Sequence, residues 1–374
     1  YVAEHAPPER RGYYTSWIQT TATLGLFLSL GVILITRHSL DAKLDASVAK
    51  FEQWGWRIPF LVSIILVGVS IYIRMRMSES PLFSKLKAEG TVSANPLKES
   101  FTHKGNLKMV LLALFGATMG QGVVWYTGQF YAQTYLETVC KIDFEQTRTI
   151  VIYAIVMATP FFIVFGSWSD RIGRKWIMLA GMALAVFAYR PIYDRMYRIT
   201  DVSKLERFET LDKADHTIKP ISGSTASLQT TTLSKEYENG IGTREVIKDT
   251  LYADGRHAIK PVSKLSKLMP GKQYWALVWL VFFQVLFVTM VYGPIAAFLV
   301  ELFPTKIRYT SMSLPYHVGN GVFGGLTPFI AVLLGTIFPG DPLVGLWYPI
   351  TIAATCLLIG ILYVSNKKHL QVND

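Results

Sequence analysis

The chain has 374 residues, of which 51% are hydrophobic and 17% are charged, and its mean hydropathy is +0.31. This composition excludes an ordinary water-soluble domain and favours a membrane protein. The formal net charge of +11 comes mainly from short stretches between apolar runs, so nucleic-acid binding has no support beyond the charge itself.

Eight segments meet or approach the roughly 20 apolar residues that a helix needs to cross a bilayer. They are residues 13–36, 54–73, 107–136, 149–168, 176–193, 274–300, 309–337 and 346–364. In hydrocarbon each backbone N–H and C=O group must be paired within its own segment, so these segments are predicted to be helices. We therefore expect an all-α integral membrane protein with the lipid bilayer as its solvent.

The basic residues of the short connections predict the orientation of these helices. Every second connection is strongly basic, as at residues 171–175 after the fourth span. The alternate connections, residues 37–53, 137–146 and 338–345, are nearly balanced or acidic. Because Lys and Arg favour the cytoplasmic side, we expect a multi-pass protein of the cell (inner or plasma) membrane with both ends of this chain in the cytoplasm.

Two polar segments interrupt the series of spans. Residues 79–106 form a cytoplasmic linker, in which Asn95 and Pro96 are typical of a helix start and predict a short helix to about Thr102. Residues 195–272 form an extracytoplasmic insertion, in which HTIKPIS at 216–222 is echoed by HAIKPVS at 257–263. The echo predicts the two edges of a small β-rich cap, and a flexible loop is the alternative.

A second repeat predicts the architecture. The pattern E-x-x-P-x-x-x-R occurs at Glu4–Arg11 and again at Glu301–Arg308, each time before a long span, and two spans complete each half. Six spans follow the linker, which predicts a 6+6 transporter of which this chain lacks the first four helices, with solute held near the midplane between the halves. The predicted parts are the last two helices of the N-terminal bundle (1–78), the linker (79–106), the C-terminal six-helix bundle (107–194 and 273–366), the insertion (195–272) and a cytoplasmic tail (367–374).

The segment GSWSDRIGRK, residues 166–175, matches the pattern G-x-x-x-D-R-x-G-R-K in a loop between two spans. This motif resembles the signature of the major facilitator superfamily. Within that superfamily, the segments 6–12, 54–60, 79–83 and 301–304 resemble the metabolite:H+ symporters, which include proline/betaine, shikimate, α-ketoglutarate and citrate permeases. The resemblance implies the major facilitator fold, with the eight spans equivalent to helices 5 to 12 of twelve, and proton-coupled transport.

The signature loop has a physical interpretation as a gate. Gly173 permits a tight turn, and Asp170 can pair with cations across the seam between the halves or lie near a helix N-terminus. The three basic residues of the loop are predicted to hold it at the cytoplasmic side and to pair with Glu301. Such a cluster can act as a two-state latch, and the alternative is that the charges only set topology. The predicted gating and motif residues are Glu4, Arg11, Gly166, Asp170, Arg171, Gly173, Arg174, Lys175, Glu301 and Arg308.

Polar and aromatic side chains within the spans predict the solute path. Gln121, Trp125 and Gln129 recur at i, i+4 and i+8 on one face of the third span. Because amides in hydrocarbon are costly unless they face a cavity or a partner helix, we expect this face to line the pathway. Interhelical hydrogen bonding with interfacial aromatics is the alternative. The predicted solute-binding residues are Gln19, Gln121, Trp125, Tyr126, Gln129, Tyr292 and Asn320.

The sequence favours a secondary active transporter over an enzyme, because no nucleophile–base pair, metal cluster or Gly-rich phosphate loop is present. Cys140 and Cys356 lie far apart, so neither a disulfide framework nor a metal site is predicted, and no cofactor is expected. The expected ligands are a small polar metabolite of the organic acid, amino acid or betaine type and a proton, bound by a monomer. The alternatives are a sugar-type or facilitative carrier, and a membrane sensor that uses the insertion.

Overall fold

The computed structural model describes residues 2–40, 50–77, 79–90, 93–203, 205–206, 213–220, 226–252 and 261–365. Within these residues eight helices are long and apolar enough to cross a membrane, which confirms the predicted all-α membrane part. The helices are α1 (Pro8–Leu40), α2 (Phe51–Arg76), the short α3 (Pro81–Ala88) and α4 (Pro96–Thr102), α5 (Lys104–Thr138), α6 (Phe144–Ile172), α7 (Arg174–Thr200), α8 (Gly271–Leu302), α9 (Arg308–Ile337) and α10 (Val344–Tyr363).

The apolar core lies within the six helices α5 to α10. Helix α8 contacts α1, α5, α6 and α7 and is mostly buried, but Trp275, Trp279 and Phe283 along one side are exposed. Tyr189 and Tyr193 of α7 are fully buried and donate hydrogen bonds to backbone carbonyls of α5, at 3.0 and 2.9 Å. Such pairing is what a buried hydroxyl requires. In contrast, no residue of α2 from Arg57 to Arg76 is buried, so its apolar side chains face outwards, as lipid contact allows.

The linker is held against the start of α9. Helix α4 begins as predicted at Asn95, whose side chain accepts a hydrogen bond from the Lys98 N–H at 3.0 Å, and it ends at Thr102. The buried hydroxyls of Ser100 and Ser311 lie 2.7 Å apart and join α4 to α9. The sequence did not predict α3, the other helix of the linker.

The insertion begins later than predicted, because α7 continues to Thr200 instead of ending near residue 193. It contains an antiparallel sheet of four strands in the order β1 (Lys213–Pro220), β2 (Ser227–Glu236), β3 (Gly242–Leu251) and β4 (Val262–Leu268). The register pairs Thr217 with Thr230, Thr231 with Ile247, and Val246 with Lys264. Strands β1 and β4 are the two edges, which confirms the predicted β-rich cap. Residues 221–222 and 257–260 of the two echoes lie outside the described residues.

The cap is attached to the connection between α5 and α6. Lys267 of β4 donates its backbone N–H to the Lys141 carbonyl at 2.7 Å, and its own carbonyl accepts from the Asp143 N–H at 2.9 Å. The side-chain amide of Gln146 makes a reciprocal pair with the backbone of Met269, at 2.7 and 2.9 Å. The sheet therefore lies at one end of the bundle, called here the cap end. The opposite end, which carries residues 170–175, is called the basic end.

Candidate functional site

At the basic end, the Asp170 carboxylate caps the start of α1. Its two oxygens accept hydrogen bonds from the backbone N–H groups of Gly12 and Tyr13, at 2.8 and 2.9 Å. The first N–H groups of a helix have no partner inside the helix, and the helix dipole makes this end positive, so a carboxylate is stabilised there. Asp170 lies in the last turn of α6, so this contact joins the end of α6 to the start of α1.

Arg174 connects Asp170 to a second carboxylate. Its guanidinium binds Glu301 through two hydrogen bonds, at 3.0 and 3.3 Å, and also pairs with the Asp170 carboxylate. A third partner is the Ser169 hydroxyl, at 3.0 Å. The Arg174 side chain is only 10% exposed, and in such a site bidentate, charge-assisted hydrogen bonds are the strongest class.

The two copies of the E-x-x-P-x-x-x-R repeat pair with each other. Arg308 of the second copy binds Glu4 of the first at 2.8 Å, and Arg11 of the first lies 3.7 Å from Glu301 of the second. Although burial alone would raise the pKa of Glu4, hydrogen bonds from Ser80 and Arg308 and the Arg308 charge bring that pKa below its ordinary value. We call the set of Glu4, Arg11, Asp170, Arg174, Glu301 and Arg308 the seam cluster.

The prediction that all three basic residues of the loop pair with Glu301 is wrong for two of them. Lys175 is buried and donates to the Ile361 carbonyl at 2.9 Å, which ties α7 to α10. The Arg171 side chain is exposed to the surroundings. The reason is the turn at Gly173, which has φ 110° and ψ 142°. This conformation suits glycine, and the Arg174 side chain that follows the turn is buried whereas Arg171 before it is exposed.

Small residues let α1 and α6 cross closely beside the seam cluster. A Cβ atom added to Gly12 would lie 2.5 Å from the Gly166 carbonyl oxygen, and one added to Gly166 would lie 2.5 Å from the Cβ of Ser16. Real Cβ atoms do not approach so closely, so both positions require glycine in this packing. The predicted motif residue Gly166 thus has a packing role at the contact between α1 and α6.

Deeper in the bundle, amide and aromatic side chains from three helices meet. Gln121 of α5 and Asn320 of α9 exchange two amide hydrogen bonds, at 2.9 and 3.2 Å. The hydroxyls of Tyr292 and Tyr316 lie 2.9 Å apart, and the Trp125 ring stacks on Tyr292 with centroids 5.5 Å apart. We call these five residues the aromatic–amide cluster. Gln121 is the middle residue of α5, so the cluster lies near the centre of the membrane span.

The predicted stripe of Gln121, Trp125 and Gln129 does not lie wholly on one face of α5. A π-helical turn at Thr127–Tyr131 follows Trp125 and rotates the residues beyond it. Gln129 is 1% exposed, and its amide has no hydrogen-bond partner among the described residues. Tyr126 stacks on Phe130 and packs against Gly324 of α9. Gln19 of α1 is buried, and within the described part of the chain no hydrogen bond joins it to the cluster.

At the cap end, α1 contacts α6 a second time. Arg37 lies 3.6 Å from the Glu145 carboxylate, and its guanidinium lies 4.8 Å from the centroid of the Phe144 ring. The Arg148 guanidinium lies 3.1 Å from the centroid of the same ring, and it pairs with the Glu137 carboxylate. The sequence did not identify this contact, because both partners lie at the edges of connections with nearly balanced charge. The only signal was an arginine at the end of the first apolar run.

A family model described as the Major Facilitator Superfamily matches residues 1–193. The chain is 25% identical over 377 residues to "Inner membrane metabolite transport protein YhjE" of Escherichia coli (strain K12), covering 98% of this chain and 66% of that protein. It is 23% identical over 372 residues to "Alpha-ketoglutarate permease" of the same organism, covering 100% of this chain and 66% of that protein.

A further relative is "Putative proline/betaine transporter" of Staphylococcus aureus (strain COL), which is 29% identical over 184 residues, or 48% of this chain and 37% of that protein. The chain spans about two thirds of the length of the curated relatives that it matches from end to end.

Proposed function

The chain belongs to the major facilitator superfamily, and from this premise we propose that the protein is a secondary active transporter that moves a small polar metabolite, of the organic acid, amino acid or betaine type, together with a proton. The aromatic–amide cluster is the observation that carries the proposal. Buried amides at mid-membrane depth are costly unless they serve a pathway or a partner. Proton coupling is supported by the resemblance to the metabolite:H+ symporters.

The cluster offers a chemistry that suits a polar solute. Gln121 and Asn320 each present a donor and an acceptor, and they satisfy each other when no solute is bound. The indole N–H of Trp125 is buried and has no hydrogen-bond partner among the described residues, so it can donate to a carboxylate. An aromatic wall of Trp125 and Tyr292 limits the width of the solute and can attract an ammonium group.

The seam cluster supports alternating access. To open the basic end, α1 must separate from Asp170, and the two repeat copies must separate from each other. Each of these contacts crosses between halves, so all of them break together when the halves rock apart. A set of contacts that forms and breaks as a unit gives two discrete states. Under this proposal the basic end faces the cytoplasm of an inner or plasma membrane, as the positive-inside rule predicts.

The test is uptake into proteoliposomes that carry the purified protein and an imposed pH gradient, alkaline inside. The solutes are a dicarboxylate, proline, a betaine and a hexose. We expect gradient-dependent uptake of one of the first three, and we expect a protonophore to abolish it. Uptake of the hexose alone, or uptake that ignores the gradient, would instead favour the sugar-type or facilitative carrier, and no uptake of any solute would contradict transport.

A matched pair of variants tests the role of the cluster. Gln121→Leu removes the amide partner of Asn320, whereas Gln53→Leu makes the same change at an exposed position of α2. We expect the first variant to lower solute affinity at least tenfold and the second to transport normally. Equal kinetics of the two variants would remove the cluster from the solute site.

A further inference from the structure

A groove on the outer surface of the bundle lies between the start of α5 and the end of α10. Its volume is about 430 Å³, within the range of about 300–1,000 Å³ that is usual for ligand sites. Its walls include Leu111 and Phe115 of α5 and Ile359 and Tyr363 of α10. The lining is almost entirely apolar, because its lysines contribute their aliphatic stems, so the groove offers no hydrogen bonds to a polar solute.

Two lysines of the lining are exposed and lie at the end of the groove where α5 begins, which is called here its mouth. Lys104 and Lys108 belong to the lining and are separated by one helical turn, and Leu111 and Phe115 continue the same face. The face therefore changes from cationic to apolar along a single helix. Among the described residues neither lysine forms an ion pair, because Glu99, the acid of the preceding helix, is engaged by Lys306 at 2.7 Å.

The groove also has the direction that a membrane lipid requires. Its charged mouth is at the basic end, where α5 begins and α10 ends, and its apolar part runs toward the middle of the membrane. Tyr363 is 65% exposed beside the mouth, and tyrosine is enriched where hydrocarbon meets the headgroup layer. The residues from Lys104 to Phe115 span roughly 16 Å along the helix, which is about half of a 30 Å hydrocarbon core.

From these observations we infer that the groove binds one anionic phospholipid of the leaflet at the basic end. An acyl chain lies between α5 and α10, and the phosphate lies between Lys104 and Lys108. This inference rests on the membrane position of the proposed function but not on transport itself. Basic pockets between membrane helices are the known chemistry for acidic headgroups, and the unpaired charge of the two lysines selects an acidic lipid over a zwitterionic one.

The experiment is native mass spectrometry of the purified protein with added phosphatidylglycerol or phosphatidylcholine of identical acyl chains. We expect one phosphatidylglycerol to bind preferentially. Lys104→Gln combined with Lys108→Gln should weaken that binding about thirtyfold, from the attraction typical of two lysines near an acidic headgroup. The control, Lys85→Gln combined with Lys87→Gln, removes two exposed lysines of α3 and should leave binding unchanged.

A second variant tests the acyl part without any change in charge. Leu111→Trp fills the groove, so it should abolish the bound lipid while both lysines remain. Equal binding of the two lipids, an equal loss in the α3 control, or an intact complex in Leu111→Trp would overturn the inference. Uptake by the same preparations separates the two proposals: a bound phosphatidylglycerol without any solute uptake contradicts transport alone, and uptake without a bound lipid contradicts the lipid site alone.

Discussion

Asp170→Asn is the sharpest test of the seam cluster, because it removes one charge and keeps the size of the side chain. The carboxylate accepts from two backbone N–H groups and pairs with Arg174. An asparagine has a single acceptor oxygen, so its NH2 group must face the backbone N–H of either Gly12 or Tyr13. Arg174 keeps Glu301 as its partner. The substitution therefore weakens mainly the contact between α1 and α6.

The size of the effect follows from the bonds lost. A hydrogen bond to a charged group contributes about 1.5–3 kcal/mol, and the interaction of an anion with a helix N-terminus contributes about 0.3–1 kcal/mol. A loss of about 3 kcal/mol changes the ratio of closed to open states at the basic end by roughly 150-fold. If the basic end stays open, the protein cannot alternate between its two open states. We therefore expect solute uptake to fall at least tenfold while insertion into the membrane is unchanged.

The opening is measured as the distance between spin labels at Glu9→Cys and Ile172→Cys, two exposed positions on opposite sides of the seam. The native Cys140 and Cys356 are fully buried, and burial raises the pKa of the Cys140 thiol to about 12, so neither is expected to take the label. The distance should lengthen in Asp170→Asn. Asp194→Asn makes the same change in an exposed pair with Arg198 and serves as the control. An unchanged distance together with normal uptake in Asp170→Asn would refute the latch.

Three further predictions follow from the same contacts. Gly166→Ala places a Cβ 2.5 Å from the Cβ of Ser16 and must push α1 away from α6, so uptake should fall at least tenfold. The control Gly335→Ala has open space around it on α9, so it should leave uptake unchanged and raise thermal stability slightly. Asn320→Leu removes one of the two amides proposed to bind the solute, a loss of about 1–3 kcal/mol, so the KM for solute should rise about five- to 150-fold in uptake kinetics. Because the pKa of Glu4 is lowered from 4.5, its contact with Arg308 should contribute fully above about pH 4.5 and be lost as the pH falls through the lowered pKa. The spin-label distance should therefore lengthen in that acid range. The variant Glu4→Gln should show the longer distance already at neutral pH.

The number of spans could be predicted because every helix that crosses the hydrocarbon needs roughly 20 apolar residues. Their ends could not, since hydropathy detects only the part of a helix that lies in lipid. Helix α7 shows the difference: the apolar run ends near residue 193, but the helix continues through Asp194, Arg195 and Arg198 to Thr200. Those charged side chains are compatible with a helix in water or at the headgroup layer, where backbone pairing within the helix is still favourable.

The E-x-x-P-x-x-x-R repeat predicted that two segments are equivalent but not that they touch. A sequence repeat reveals only a common pattern. Two related halves can meet across an approximate two-fold axis along the membrane normal, and each residue near that axis then faces the other copy. Glu4 with Arg308 and Arg11 with Glu301 have this exchanged pairing. The pairing depends on how the two segments pack together, so it was visible only in the structure.

The aromatic–amide cluster shows a second limit. Gln121 and Trp125 both lie in this cluster, because no break separates them on α5, and their role in solute binding stays a prediction. Gln129 does not continue the same straight stripe, because periodicity assumes 3.6 residues per turn and the turn at Thr127–Tyr131 is wider. Tyr316 was not among the predicted residues, since a tyrosine beside a proline in α9 has no distinctive spacing, although its hydroxyl completes the contact with Tyr292.

The two ends of α1 are held very unequally, and this difference indicates which end opens first under the proposed mechanism. At the basic end, buried charge-assisted hydrogen bonds and a close glycine crossing join α1 to α6. At the cap end, the Arg37 contact uses a Glu145 side chain that is 45% exposed, so the ion pair contributes about 0–1 kcal/mol and the cation–π contact a similar amount. A rocking motion breaks the weaker set first. We therefore expect the described state to open toward the cap, with the seam cluster as the fulcrum.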